Sequence, residues 1–205
     1  MSYLLLTRHG QSEFNLQKRF TGWLDVELTD QGRVEAQEAA LLVKPYAQEI
    51  DHAFTSGLKR AQHTLEIIIN ELKLNDLPVT KHSALNERHY GDLQGRVKDQ
   101  CREEFGAEQV HIWRRSFNTP PPGGESLEQT AQRTWPYFEQ NILPLLKEDK
   151  NILITAHGNS LRSIIMHLEN LDGDAIVKRE IKTGELIAYE YSQNKFNKIN
   201  TTLER

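Results

Sequence analysis

The sequence predicts an α/β fold of three layers, a mostly parallel central sheet with helices on both faces. Three observations carry that reading. Apolar runs alternate with helical patterns along the chain. The strongest runs, Tyr3 to Thr7 and Asn151 to Thr155, are continuous rather than alternating, as in strands covered on both sides. No low-complexity stretch divides the 205 residues, so 1–205 reads as one domain.

Each element follows from local signals. Tyr3 to Thr7 is the first strand. Thr29 is placed to cap a helix whose Ala36, Ala39, Ala40 and Val43 keep the i, i+3, i+4, i+7 spacing, and Lys44-Pro45 ends it. Asp51 to Thr55 is a short strand. Ser56 is expected to cap the next helix, with Ala61, Leu65, Ile68 and Leu72 on its buried face. Leu77 to His82 is a further strand. Asn86 to Pro122 carries short helices among charged loops, and Pro120 to Gly124 is a loop by composition. Ser126 and Gln129 form a capping box for a helix running toward Leu146, which Pro136 should kink or break. After the strand from Asn151, Asn159 or Ser160 opens a helix with Leu161, Ile164, Ile165 and Leu168 on one face. Leu186 to Tyr191 is a late strand.

Composition removes several classes of function. With 38% hydrophobic and 26% charged residues, the chain is neither disordered nor a coiled coil. No apolar run approaches the roughly 18 residues of a membrane span. Met1-Ser2-Tyr3 leads straight into a strand rather than a signal peptide. Cys101 is alone and has no internal disulfide partner, which points to a reducing cytoplasm. The net charge of −4 argues against a nucleic acid or an anionic membrane as partner. No metal site is expected, because there is no His-Glu-x-x-His and no cysteine pair, and the 8 histidines lack ligand spacing. A nucleotide kinase is disfavoured, since no phosphate loop ends in Gly-Lys-Ser/Thr.

One internal echo concentrates the chemistry. Leu5-Leu6-Thr7-Arg8-His9-Gly10-Gln11-Ser12 matches Leu153-Ile154-Thr155-Ala156-His157-Gly158-Asn159-Ser160. Each copy is a buried strand, a histidine at its carboxyl end, a glycine and a polar residue able to start a helix. Ligands of open α/β sheets bind beyond the carboxyl ends of strands. If the two strands are neighbours, His9 and His157 enter one crevice. Gly10 and Gly158 are expected to let backbone approach a ligand, and the helix N-termini to aim free N–H groups at an anion. A lone histidine there is more often structural, and the repetition favours function. Arg8, Arg60 in the first turn of a helix, and Arg114-Arg115 are candidate phosphate or carboxylate clamps. Ser56-Gly57 should add backbone donors.

These residues resemble a known family. Leu6-Thr7-Arg8-His9-Gly10-Gln11-Ser12 is similar to the signature of the histidine phosphatase superfamily. Arg19-Phe20-Thr21-Gly22-Trp23, Leu58-Lys59-Arg60-Ala61, Asn86-Glu87-Arg88-His89-Tyr90-Gly91, Trp113-Arg114-Arg115 and Ala156 to Arg162 resemble, more narrowly, the 2,3-bisphosphoglycerate-dependent phosphoglycerate mutases. The resemblance runs from residue 3 to about residue 191. It implies a phosphoglycerate mutase-like fold and interconversion of 3- and 2-phosphoglycerate. His9 is then the nucleophile that becomes phosphohistidine, primed by 2,3-bisphosphoglycerate and without a metal. Arg8, Arg60 and His157 surround the phosphate in flight, and Glu87 is the proton donor and acceptor. Ser12, Asn15, Thr21, Gly22, Gly158 and Asn159 line the pocket. Arg88, His89, Tyr90, Lys98, Arg114 and Arg115 hold the rest of the substrate. Small phosphoglycerates are the expected partners, and a homodimer is compatible with the resemblance.

Two departures keep an alternative open. The family's insertion after the arginine pair is replaced by Pro120-Pro121-Pro122-Gly123-Gly124-Glu125-Ser126, similar to plain phosphatases, and the chain stops at Arg205 without the family's longer tail. A histidine phosphatase acting on a small phosphorylated metabolite is therefore the second expectation. A non-catalytic phosphate-binding module is disfavoured by the presence of His9, Glu87 and His157 together. Lys98 and the loop from Phe117 to Gly124 are expected to fold over the pocket in place of the absent segments.

Overall fold

A computed structural model describes residues 1–201. In chain order the elements are β1 (Ser2–Arg8), α1 (Glu13–Leu16), α2 (Asp30–Val43), β2 (Ile50–Thr55), α3 (Lys59–Leu72) and β3 (Val79–Lys81). Then come α4 (Lys98–Phe105), α5 (Ala107–Arg115), α6 (Leu127–Tyr137), α7 (Leu143–Lys147), β4 (Asn151–Ala156), α8 (Gly158–Leu168), α9 (Gly173–Lys178), β5 (Leu186–Ser192) and β6 (Lys195–Ile199). The six strands form one sheet in the order β3-β2-β4-β1-β5-β6. The first four strands in that order are parallel, and β5 and β6 add antiparallel pairings at one edge.

The sheet is covered on both faces. Leu4, Leu6, Ile152 and Ile154 point to one side, against α6, α7 and α8; Leu5, Ala53 and Leu153 point to the other, against α2 and α3. Leu4, Leu5 and Leu6 are all fully buried, at about 1.5–3 kcal/mol each, which is why the central strand shows no polar alternation. Phe20, Leu93, Cys101 and Val110 form a separate small cluster under α4 and α5.

Local signals hold with some shifts. Thr29 caps α2 through Gly32 N–H at 3.0 Å, and the Ser126–Gln129 box caps α6. Pro136 lies inside α6, and the missing donor is followed by a wide π-turn over Phe138–Ile142 before α7 resumes. Ser56 does not cap α3; Leu58 holds the N-cap position, and the Ser56 hydroxyl accepts from Leu58 N–H at 3.1 Å. His157, not Asn159 or Ser160, is the N-cap of α8. The strand expected over 77–82 is only Val79–Lys81, and β6 carries no apolar run because its side chains are largely exposed. No helix among the described residues is long and apolar enough to cross a membrane.

Candidate active site

The sequence echo is the pairing register of the sheet. Leu5 lies opposite Leu153, Leu6 opposite Ile154 and Thr7 opposite Thr155 in the parallel β1–β4 pair. His9 N–H donates to Ala156 carbonyl at 3.0 Å, so both strands release a histidine at the same level. The imidazoles of His9 and His157 meet edge to face, with centroids 4.9 Å apart.

His9 is held in one tautomer. Its Nδ1 is 2.6 Å from Gly10 carbonyl, which can only accept, so Nδ1 carries the hydrogen and Nε2 keeps its lone pair. Burial, then Arg60 and Arg8, push its pKa well below the ordinary histidine value. His157 is buried, with Nε2 2.8 Å from Ser56 Oγ; burial, then Arg60, His9 and Arg8, lower its pKa as well. Both rings are therefore neutral at pH 7.

Beyond the histidines lies a cavity of about 150 Å³. Its wall includes Arg8, His9, Asn15, Thr21, Gly22, Arg60, Glu87, Tyr90, Lys98, Arg114, Arg115, Gly158 and Asn159, all expected from the sequence. Arg19, Phe20, Arg162 and Glu180 also line it. Those four were missed as site residues: Arg19, Phe20 and Arg162 sit inside the quoted motifs, and Glu180 belongs to no motif. Arg60 is buried and braced by Gly22 and Leu24 carbonyls at 2.8 and 3.0 Å. Burial lowers its pKa to about 10, so it remains a cation. Arg8 donates to Ile181 carbonyl at 2.6 Å. Burial lowers the pKa of Lys98 and of Arg114.

Glu87 is fixed from two sides. Its Oε1 accepts from Arg88 N–H at 2.8 Å and Asn159 N–H at 3.1 Å. Its carbonyl accepts from Trp23 Nε1 at 2.6 Å and Arg133 Nη2 at 2.9 Å. Arg133 is locked in turn by Glu125, 2.8 Å from its Nε. The Glu125 that gave the proline loop its phosphatase-like look thus props the backbone under Glu87.

Four expected site residues lie off the cavity wall, and one of them is His157, fully buried beside His9. Ser12 is buried and caps α1 with Asn15. Arg88 is buried, donating to Tyr90 hydroxyl at 2.8 Å and Arg114 carbonyl at 3.1 Å, so it braces two wall residues. His89 packs edge to face on Trp23, and its Nδ1 accepts from Gly91 N–H at 3.0 Å. The 117–124 loop does not cover the cavity either: Pro122 carbonyl accepts from Asp92 N–H, and Glu125 N–H donates to His89 carbonyl.

Most of the expected backbone donors are taken by protein acceptors, whereas Gly158 and Asn159 at the start of α8 do line the cavity. Gly10 N–H goes to Thr64 Oγ1, Gln11 N–H to Glu35, Gly57 N–H to Asn86 and Lys59 N–H to Asp25. Gly10 serves packing rather than ligand approach: a Cβ there would lie 2.0 Å from Gly32 carbonyl oxygen. Side-chain cations dominate the cavity wall. Seven of them line it against two carboxylates, and only Arg115 and Arg162 reach a carboxylate among the described residues, both on Glu180. Such a cavity favours a ligand with several anionic groups. No cluster of three or more metal-ligating side chains occurs among the described residues.

Comparison with known proteins agrees with this geometry. The model of the histidine phosphatase superfamily, branch 1, matches residues 4–202. A Bradyrhizobium sp. strain BTAi1 protein named 2,3-bisphosphoglycerate-dependent phosphoglycerate mutase is 54% identical over 186 residues, 91% of this chain and 90% of its own. A Cytophaga hutchinsonii protein of the same name is 51% identical over 192 residues, 94% of this chain and 89% of its own. The compact length is therefore shared with proteins named as mutases. Among solved structures, a mycobacterial glucosyl-3-phosphoglycerate phosphatase in complex with VO3 superposes with a TM-score of 0.83 at 26% identity, covering 97% of this chain and 98% of that one.

Proposed function

Because the chain belongs to branch 1 of the histidine phosphatase superfamily, we propose that it interconverts 3-phosphoglycerate and 2-phosphoglycerate through a phosphohistidine at His9. The observation that carries the reading is the pairing of a neutral, oriented His9 with a cation-lined cavity too rich in arginine for a single phosphate. The orphaned Arg8 Nε and the surplus of unpaired cations fit 2,3-bisphosphoglycerate, held by Arg8 and Arg60 at one end and Lys98 and Arg114 toward the other. When bound, that molecule supplies the phosphoryl group that primes the enzyme.

The residues divide the work. His9 Nε2 attacks phosphorus, while Nδ1–H stays on Gly10 carbonyl and keeps the ring aimed. Arg8, Arg60 and His157 stabilise the equatorial oxygens, which is the main demand of phosphoryl transfer. Glu87 gives and takes the substrate hydroxyl proton through Oε2, since Oε1 is already occupied by two N–H donors. Asn15, Thr21, Gly22, Tyr90, Arg115, Gly158 and Asn159 shape the pocket, while Ser12, Arg88 and His89 support its wall from behind. A single unpaired cysteine and the phosphoglycerate chemistry fit a cytoplasmic enzyme of glycolysis and gluconeogenesis.

The test is incubation with 3-phosphoglycerate and a trace of 2,3-bisphosphoglycerate. Appearance of 2-phosphoglycerate, and an acid-labile phosphate on wild type but not on His9→Ala, is the expected result. Release of inorganic phosphate without 2-phosphoglycerate would assign a phosphatase instead.

A further inference from the structure

The rim of the cavity holds a carboxylate that the reaction does not call for. Glu180 sits in the segment between α9 and β5, with its side chain 65% exposed. Its Oε1 pairs with Arg115 Nη1 at 2.7 Å, and its Oε2 lies 3.7 Å from Arg162 Nη2. The residues on either side also hold site arginines, but through backbone. Arg179 carbonyl accepts from Arg162 Nε at 2.6 Å, and Ile181 carbonyl from Arg8 Nη1 at 2.6 Å. Three consecutive residues thus touch Arg8, Arg115 and Arg162.

The backbone bonds and the Glu180 side chain do different things. Arg162 keeps its place without Glu180, because Nε is on Arg179 carbonyl and Nη1 is 3.2 Å from Asn159 Oδ1. Glu180 takes only the outer nitrogens that remain. Those guanidinium edges are what a carboxylate or phosphate of a ligand would grip. A carboxylate on a short tether, more than half in water, can leave them at little steric cost.

We propose that Glu180 is a specificity-determining residue of this site, a tethered carboxylate that occupies the Arg115–Arg162 pair until the anionic end of a phosphoglycerate displaces it. The inference rests on the phosphoglycerate reading above. Binding then exchanges one ion pair for another rather than adding one. The displaced carboxylate also stays close enough to repel, and that repulsion grows with ligand charge. A bisphosphate is therefore held less tightly, relative to a monophosphate, than the cation count alone would give.

Glu180→Gln tests this, since it keeps the size of an exposed side chain and removes its charge. Dissociation constants for 3-phosphoglycerate and 2,3-bisphosphoglycerate would be measured by calorimetry at low and high salt, beside KM and kcat. The expected result is a fall of about fivefold in Kd and KM for 3-phosphoglycerate, the scale of one part-exposed ion pair. The fall should be larger for 2,3-bisphosphoglycerate and shrink in high salt, with kcat changed by less than about twofold. Glu180→Asp, which restores the charge, should lie nearer wild type. Unchanged or weaker binding of both ligands by Glu180→Gln would overturn the proposal, because Glu180 would then be bracing Arg115 for the ligand. A wild-type protein that neither binds nor turns over phosphoglycerates would instead overturn the substrate reading, and this one with it.

Discussion

Arg60→Met separates the two tasks proposed for one guanidinium. Methionine keeps an unbranched stem in a nearly inaccessible site, so the packing loss is small compared with alanine. The charge does two things. It faces the phosphate region of the cavity, and after burial it is the foremost cause that keeps His9 and His157 neutral. Losing a preorganised cation aimed at transition-state charge costs about 3–4 kcal/mol, or roughly a hundredfold to a thousandfold in kcat. Losing its field lets the pKa of His9 rise, so the acid limb of the kcat/KM profile moves to higher pH. Gly22 and Leu24 carbonyls also lose their donors, at about 1–3 kcal/mol for a buried group left unpaired. A few degrees of Tm should follow, at roughly 2–4 °C per kcal/mol. The assay is the pH dependence of 2-phosphoglycerate formation, with Tm measured alongside. A loss under about fivefold with an unmoved acid limb would refute both assignments. A large loss with an unmoved limb would leave only the phosphate contact standing.

Acidification should expose the two histidines as a stability term. Their folded pKa values are depressed, so below about pH 6.5 the unfolded chain takes up protons that the folded one does not. Stability present above pH 6.5 is then lost as pH falls toward the folded values, by up to about 1.4 kcal/mol per pH unit per histidine. Denaturation of wild type against His9→Gln/His157→Gln from pH 7 to 5 should show a flatter curve in the variant; parallel curves would contradict it. Gly10→Ala should cost at least about 1–3 kcal/mol, because its methyl meets Gly32 backbone. Gly158→Ala, whose Cβ would sit 3.7 Å from Arg8, should instead fold normally and lose activity. Equal Tm values for the two variants would sink that contrast. Arg114→Ala should raise KM more than it lowers kcat, with a larger effect on 2,3-bisphosphoglycerate; unchanged KM for both ligands would move the second cation cluster elsewhere.

The elements and the centre of the site were legible in the sequence because both are written in short-range patterns. Continuous apolar runs marked β1 and β4, Thr29 and Ser126 marked helix starts, and the repeated Thr-x-His-Gly marked where two histidines leave the sheet. The register of a parallel pair with both faces buried made the echo a spatial pairing, since a one-residue slip would have turned His9 away from His157. What only the tertiary structure decided was where polar groups find partners across long separations. The N–H groups of Gly10, Gln11 and Gly57 looked available for an anion, but Thr64, Glu35 and Asn86 take them from 54, 24 and 29 residues away. Arg88, expected as a ligand contact, lies buried off the cavity wall and donates to Arg114 carbonyl, and Glu125 looked like a phosphatase mark and is the anchor of Arg133 under Glu87. Glu180 carries no local signal at all. Its position over Arg115 and Arg162 comes from the path of the chain between α9 and β5, and no pattern of neighbouring residues encodes that path.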